Sequence, residues 1–269
     1  MPVRRIAGDD TSMHFDAFAP HYDAFTSGSD YERWTDGVLA HARAHGLEGQ
    51  TLLDIACGTG KSLVPFLKRG FDVVGCDSSS AMLAEAARKA PQVQLVLADM
   101  RELPELGRFD LVTCIDEPLN YLATESDLLA AFRSIETNLA ADGLAIFDLN
   151  SLLTYRTTFA RDDVSESDDG RVFAWRGESS EDAQAGCEAC AWIDVFVPAP
   201  DGSYERVRSR HVQRHFPRER VLALLGDAGL EPVVINGVLD DGTPVADTDE
   251  LSHLKVLYTA RRAKGGAAQ

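Results

Sequence analysis

Short apolar runs recur along the chain and alternate with longer amphipathic stretches. TLLDIAC, FDVVGCD, VQLVLAD, FDLVTCID and GLAIFDLN predict five strands. Between them KSLVPFLKRG predicts a helix closed by Gly70, and ESDLLAAFRSIETNLA an amphipathic one. SSSAMLAEAARKA predicts another, with serines available to cap it and Pro91 beyond its end. Two helices are predicted ahead of the first strand, around SMHFDAFAPHYDAF and DYERWTDGVLAHARAHG, the second ending on Gly46. Continuous apolar strands alternating with helices specify a parallel sheet covered on both faces. Right-handed crossovers then gather the strand C-termini, and with them a ligand, along one edge.

The rhythm breaks after Asn150. Residues 151–216 carry an acidic loop, RDDVSESDDG, and the strand-like runs RVFAWRG, CEACAWIDVFVP and YERVRSRHVQRHF, with a PDG turn between the last two. Strands joined by short turns pair antiparallel, which predicts an inserted antiparallel lid over the ligand edge. Its aromatics Tyr155, Phe159, Phe173, Trp175, Trp192 and Phe196 exceed what a solvated linker carries, so the lid is expected to bury apolar surface and roof a pocket. The α/β pattern resumes with PRERVLALLGDAG, EPVVING and LKVLYTARR, and the tail AKGGAAQ is expected to be disordered. The expected fold is α/β, a doubly wound, mostly parallel seven-stranded sheet. Residues 1–150 and 217–261 would form the core, and 151–216 the lid.

Charge narrows the partners. A formal net charge of −17 over 269 residues opposes nucleic-acid binding, which relies on neutralising phosphates. No apolar run reaches the roughly 18 residues that span a bilayer. The start, MPVRRIAGDD, has basic residues but no apolar core, so no secretory signal is expected and the cytoplasm is the expected location. Five cysteines make an odd, sparse set unlike a disulfide framework. Cys187-x-x-Cys190 with His211-x-x-x-His215 imitates a zinc set, but its 20-residue gap exceeds the roughly 12–15 of finger-type sites. In a regular strand the two cysteines would also face opposite ways, and no metal is expected. A small-molecule partner remains, with a homodimer or higher oligomer left open.

The turn CGTGKS, Cys57 to Ser62, decides which small molecule. A phosphate-binding loop needs Gly at position 55, which is Ile55; a dinucleotide turn needs Gly at position 63, which is Leu63. What remains is Asp54, Ala56, Gly58 and Gly60 after the first strand, and Asp77, 19 positions beyond Gly58, at the end of the second. That interval suits a carboxylate clamping ribose hydroxyls. Asp54 adds a second carboxylate, uncomfortable beside a triphosphate but suited to a cation. A cationic nucleoside without phosphate, S-adenosyl-L-methionine, fits.

In LLDIACGTG, VVGCDSS, LADM and FDLVTCID the chain resembles the class I SAM-dependent methyltransferases over about residues 15–261. The resemblance implies that Asp77 binds ribose, Asp99 the adenine amino group, and that Met100 contacts adenine. The backbone at Ala56 and Gly58 would pass the methionine part, Cys114, Ile115 and Asp116 would line the methyl-donor side, and Ser78 and Met82 complete the cofactor set. Ala56 departs from the more usual Gly. HYDAF with DYERW, IDEPLNYL and FDLNSLLTYR resemble small-molecule N-methyltransferases of the aminosugar and antibiotic type. That places Tyr22, Tyr31 and Trp34 at the cofactor, although Trp34 reads equally as a core aromatic. Asn120, Tyr121, Asn150 and Tyr155 would lie near the acceptor, with Glu117, Trp175 and His215. Candidate proton acceptors are Asp116, Glu117, Asp148, His211 and His215; Tyr22, Asp116 and His211 are the catalytic candidates. Methyl transfer is an in-line displacement that positioning alone can drive far. A neutral amine needs only an acceptor for its proton, whereas a hydroxyl needs a true base. The local carboxylates favour nitrogen. An O-methyltransferase, or a SAM-binding protein with a cyclase or regulatory role, is the alternative.

Overall fold

The computed structural model of the chain describes residues 11–239, 242–246 and 248–264. The expectations for residues 1–10 and for the tail past Lys264 lie outside the described residues. Two helices, α1 (Thr11–Phe25) and α2 (Tyr31–Ala44), precede β1 (Thr51–Ile55), α3 (Leu63–Lys68), β2 (Asp72–Asp77), α4 (Ser80–Lys89), β3 (Gln94–Leu97), β4 (Phe109–Cys114), α5 (Glu125–Asn138) and β5 (Leu139–Asn150). Local signals explain the boundaries. Ser79 caps α4 by accepting from the Met82 amide at 3.1 Å, and Thr124 and Asp127 form a reciprocal capping box on α5. Helix α3 is shorter than KSLVPFLKRG predicts, because residues 58–62 are spent on a turn.

After a short helix, α6 (Leu152–Arg156), come β6 (Asp162–Glu166), β7 (Val172–Gly177), β8 (Glu188–Pro198) and β9 (Tyr204–Arg214). The core resumes with α7 (Arg218–Asp227), β10 (Leu230–Val238), β11 (Pro244–Val245) and β12 (Lys255–Arg262). The main sheet runs β11-β10-β12-β5-β4-β1-β2-β3. Strands β1 to β5 pair in parallel, while β12 is antiparallel to both β5 and β10. Seven strands match those predicted; the eighth is the two-residue β11 on the open edge of β10. Strand order reverses about β1, which lies between β2 and β4, so the crevice for a ligand opens beyond the C-terminal ends of β1 and β4. Among the described residues no helix is long and apolar enough to cross a membrane.

The lid is a separate antiparallel sheet, β6-β7-β8-β9. The acidic stretch read as loop contains its edge strand β6, paired with β7 from Asp162↔Arg176 to Glu166↔Val172. Every β6 residue is exposed, so no alternation marks it in the sequence; acidic side chains on an unpaired edge also oppose pairing with another chain. The lid rests on α1. Phe18 packs with Phe173, Ile193 and Val195, and Phe25 meets Phe173 at 5.4 Å between centroids. Trp192 and Phe196 face away from this core, beneath Arg208 and Arg206. Phe18→Ala is expected to destabilise the protein by about 3 kcal/mol, as for other buried aromatic truncations. Urea unfolding checks it, and a loss below about 1 kcal/mol would show that α1 does not anchor the lid.

Candidate active site

The CGTGKS turn begins where β1 ends. Ala56, Gly58 and Gly60 have φ of 58°, 53° and 78°, a left-handed path that bends the chain back at the mouth of the crevice. A Cβ at Gly58 would meet nothing within 4 Å, so this backbone is open to a ligand; one at Gly60 would lie 3.0 Å from the Ala86 side chain of α4. The phosphate-like Lys61 and Ser62 have other partners. Lys61 Nζ donates to the Thr26 carbonyl at 2.7 Å and lies 4.7 Å from the centroid of the Tyr31 ring. Ser62 and Thr113 donate to the two oxygens of Asp54 at 2.5 and 2.7 Å. Asp54 is buried, its carboxyl pushed up to about 6 by desolvation, so it joins β1, β4 and the turn instead of lining the crevice for a cation.

Helix α1 is fastened across this edge. Ser79 donates to Asp16, Thr59 donates to Asp23 at 2.6 Å, and Lys89 reaches both Asp23 and the Thr59 carbonyl. Asp77, at the end of β2, accepts from the Gly58 amide at 2.9 Å and the Ser79 amide at 2.8 Å. The Ser78 amide also bonds this carboxylate, so three backbone amides hold it at the strand end. Ser78 is exposed beside it, whereas Met82 is buried beneath α4. Asp99 caps the turn at Met100–Glu102 and carries a two-pronged ion pair with Arg101 (2.6 Å to Nη2), while Met100 packs partly on the core.

Beyond β4, Asp116 and Glu117 occupy left-handed backbone at φ 76° and 54°, a strain of order 1 kcal/mol each that recurs at functional sites. The Glu117 amide donates to Asp148 at 2.8 Å. Lys255 sits among the carboxylates, its Nζ 2.7 Å from Glu117, 2.9 Å from Asp116 and 3.6 Å from Asp148. Three carboxylates about one ammonium leave a formal −2. Lys255 holds Asp116 below the usual carboxylate range, while burial pushes Glu117 up to about 7. Tyr22 donates to Asp116 at a long 3.4 Å and hydrogen-bonds Tyr31. Trp34 stands one layer back, edge-on to Tyr31 and Phe66 in the packing of α2 on α3, as the core-aromatic reading has it. Cys114 is buried beneath the strand end and Ile115 packs partly on the core.

Sequence reasoning missed Lys255. As the first residue of β12 it pairs with Asn150 at the end of β5, because the two strands are antiparallel. Its signal was a lone lysine opening the apolar run KVLYTA.

The residues expected at the acceptor divide. Asn120 donates to Tyr155 Oη at 3.0 Å and the Arg214 carbonyl at 2.8 Å, and accepts from the Asn150 amide at 2.9 Å. Asn150 donates to Gln213 at 2.8 Å, and Tyr155 is fully buried, stacked on Phe159. Their polar atoms join β9 to the end of β5 instead of facing a cavity. His211, a catalytic candidate, is 2% exposed, with Nδ1 3.0 Å from Tyr121 Oη and Nε2 2.9 Å from Ser209 Oγ. His215 is buried; its Nδ1 accepts from the Gly186 amide at 3.0 Å, and its Nε2 lies 3.4 Å from Glu250. Both nitrogens of His211 are engaged, whereas the buried His215 Nε2 has no hydrogen-bond partner among the described residues. Tyr121 is half-buried between His211 and Phe15. Trp175 donates to the Thr158 carbonyl and borders a cavity of about 200 Å³ with Phe25, Phe173 and Arg161. Among the described residues no three His, Cys, Asp or Glu side chains are grouped to hold a metal.

Doubly wound sheet, glycine turn and strand-end carboxylate define a class I-type methyltransferase fold. A family profile described as a methyltransferase domain matches residues 52–143. The chain is 30% identical over 257 residues to "Putative methyltransferase YqeM" of Bacillus subtilis (strain 168), across 94% of this chain and 98% of that one. It belongs to the methyltransferase family. Over 141 residues, 51% of this chain and 56% of the other, it is 34% identical to the dTDP-4-amino-2,3,4,6-tetradeoxy-D-glucose N,N-dimethyltransferase of Saccharopolyspora spinosa. The fold is shared with Streptomyces venezuelae DesVI at a TM-score of 0.72 and 24% identity, over 96% of this chain and all of that one.

Two outcomes follow from these contacts. Lys61→Met should speed amide hydrogen exchange in α1 and at residues 26–34 while leaving β1 and β4 protected; unchanged exchange would show that Lys61 does not fasten the helix. Tyr155→Ala should lower stability by about 3 kcal/mol and Tyr155→Phe by only about 1, read by urea unfolding. Equal small losses would mean that Tyr155 is not packed as described.

Proposed function

We propose that the protein is a SAM-dependent methyltransferase whose acceptor is an amine nitrogen on a small specialised metabolite of the aminosugar type. The observation that carries this is the pairing of the Gly58–Asp77 cradle with a net-negative mouth one strand away. The residues present fit the cofactor. Gly58 leaves open space above the turn, and backbone amides hold the Asp77 carboxylate at the strand end, where it can accept from ribose hydroxyls. Asp99 and Met100 stand at the end of the third strand for the base, and Tyr22 and Tyr31 come down over the mouth from α1 and α2.

When bound, SAM supplies a methyl group on a positively charged sulfonium, open to in-line displacement by the acceptor nitrogen. The chain's residues orient and choose. Asp116, Glu117 and Asp148 give the mouth a field that favours cations over phosphates. Placing the nucleophile is the larger task, since an amine needs only a proton acceptor. His211, with both ring nitrogens hydrogen-bonded inside the protein, does not supply that acceptor. The aminosugar class rests on the Saccharopolyspora relative, whose name states that acceptor type.

Calorimetry is expected to show micromolar binding of SAM and S-adenosylhomocysteine and none of ATP. Asp77→Ala should weaken that binding at least about tenfold, from two lost hydrogen bonds of about 1 kcal/mol each, and should also lower the unfolding temperature, because the Gly58 and Ser79 amides lose their acceptor. Methylated product from a panel of dTDP-aminosugars, read by mass spectrometry, tests the acceptor. Tight ATP binding, or normal SAM binding by Asp77→Ala, overturns the reading.

A further inference from the structure

Positioning accounts for methyl transfer, but an amine that gains a methyl group must also lose a proton. Which group takes it is decided at Lys255. The carboxylates around its ammonium are not equivalent. Asp148 is nearly inaccessible, with one oxygen on the Glu117 amide and the other towards Lys255. Asp116 is more exposed but binds Lys255 at 2.9 Å and accepts from Tyr22. Glu117 is one-fifth exposed, and among the described residues its carboxylate has Lys255 as its hydrogen-bond partner, at Oε1, leaving Oε2 for a ligand. We propose that Glu117 accepts the proton shed by the acceptor amine, and that Lys255 is the positioning residue that holds Glu117 in its charged, receptive state. The inference rests on the methyltransferase reading above.

The electrostatics of the cluster support the geometry. Burial pushes Glu117 up to about 7, the neighbouring Asp116 and Asp148 push the same way, and Lys255 opposes them. The other ionisable groups around the mouth are Tyr22 from α1, Tyr31 from α2, Lys61 from the glycine turn, Cys114 at the end of β4, Tyr121 from the turn after it and Tyr155 from α6. Lys255 has direct contact with all three carboxylates. Without it, the three acids would keep only the more distant Lys61 as a counter-charge, and Glu117 would be neutral at pH 7. A neutral Glu117 cannot accept. In the step itself the N–H bonding pair stays on nitrogen, the proton passes to Glu117 Oε2, and the neutral acid returns it to water through the partly exposed mouth. A base poised near neutrality is the one best matched to that cycle.

The sign follows from the charge. Below pH 7 Glu117 is protonated in the folded protein, so kcat/KM for an amine should fall on an acid limb near pH 7. Side-chain ¹³C NMR of the Glu117 carboxyl carbon gives its titration midpoint without turnover. We expect a midpoint near 7 in the wild type, raised by at least about one pH unit in Lys255→Met and restored in Lys255→Arg. The acid limb should move by the same amount. Glu117→Gln should abolish the limb, and adding Lys255→Met to it should produce no new one. Should Lys255→Met not fold, Lys255→Gln removes the charge while keeping a hydrogen-bond donor. A midpoint near the ordinary 4.5, or one that ignores the loss of Lys255, overturns the proposal. So does an acid limb that stays in place while the midpoint moves. Calorimetric binding of SAM by the wild type tests the underlying reading separately.

Discussion

Helix α1 is held between two different kinds of interaction, and both halves of the molecule depend on it. Its polar side chains Asp16 and Asp23 bind Ser79, Thr59 and Lys89 on the sheet side, while Phe18 and Phe25 enter the apolar face of the lid. The lid therefore reaches the ligand edge in two ways, through α1 and through β9, whose Gln213 and Arg214 bind Asn150 and Asn120. Tyr22 projects from the same helix towards Asp116, so any shift of the lid must move a hydroxyl at the mouth. Dense packing transmits such displacements instead of absorbing them.

The same economy explains the glycine turn. Gly60-Lys61-Ser62 has the residues of a phosphate loop, yet Lys61 is bound to Thr26 and Tyr31, and Ser62 to Asp54. The functional groups that would grip a nucleotide's phosphates fasten the N-terminal helices instead. What the turn offers a ligand is bare backbone at Gly58 and the carboxylate of Asp77. A motif is thus read by where its side chains end, and spacing alone does not supply that.

Much of the fold was legible because burial leaves a periodic trace. Five apolar runs became β1 to β5, and Gly46 and Gly70 closed helices where the chain turns left-handed, at φ 103° and 83°. Strand β6 left no trace, since none of its side chains is buried. At the site, Gly58 and Asp77 were legible because their relation follows from adjacent strands. Asn120, Asn150 and Tyr155 were read as substrate contacts because IDEPLNYL and FDLNSLLTYR resemble small-molecule N-methyltransferases, and His215 as a polar residue of the lid. The structure gives them internal partners contributed by β9 and by residues 186 and 250. A polar residue at a sheet edge satisfies either a ligand or the chain itself, and only the tertiary partner decides.

Lys255 shows the same limit from the other side. The acidic residues near it in sequence, Asp249 and Glu250, are not its partners: those lie 107 to 139 positions earlier, at Asp148, Glu117 and Asp116. They meet because β12 runs back against β5, bringing the start of the last strand to the ligand edge. An all-parallel arrangement would have placed that lysine at the opposite end of the sheet. The reversed last strand supplies the counter-charge that three carboxylates at one strand edge require, since removing one partner from a buried ion cluster leaves uncompensated charge behind. The antiparallel strand and the acidic mouth are therefore one feature: the topology makes the charge arrangement tolerable, and the charge arrangement leaves the crevice net negative.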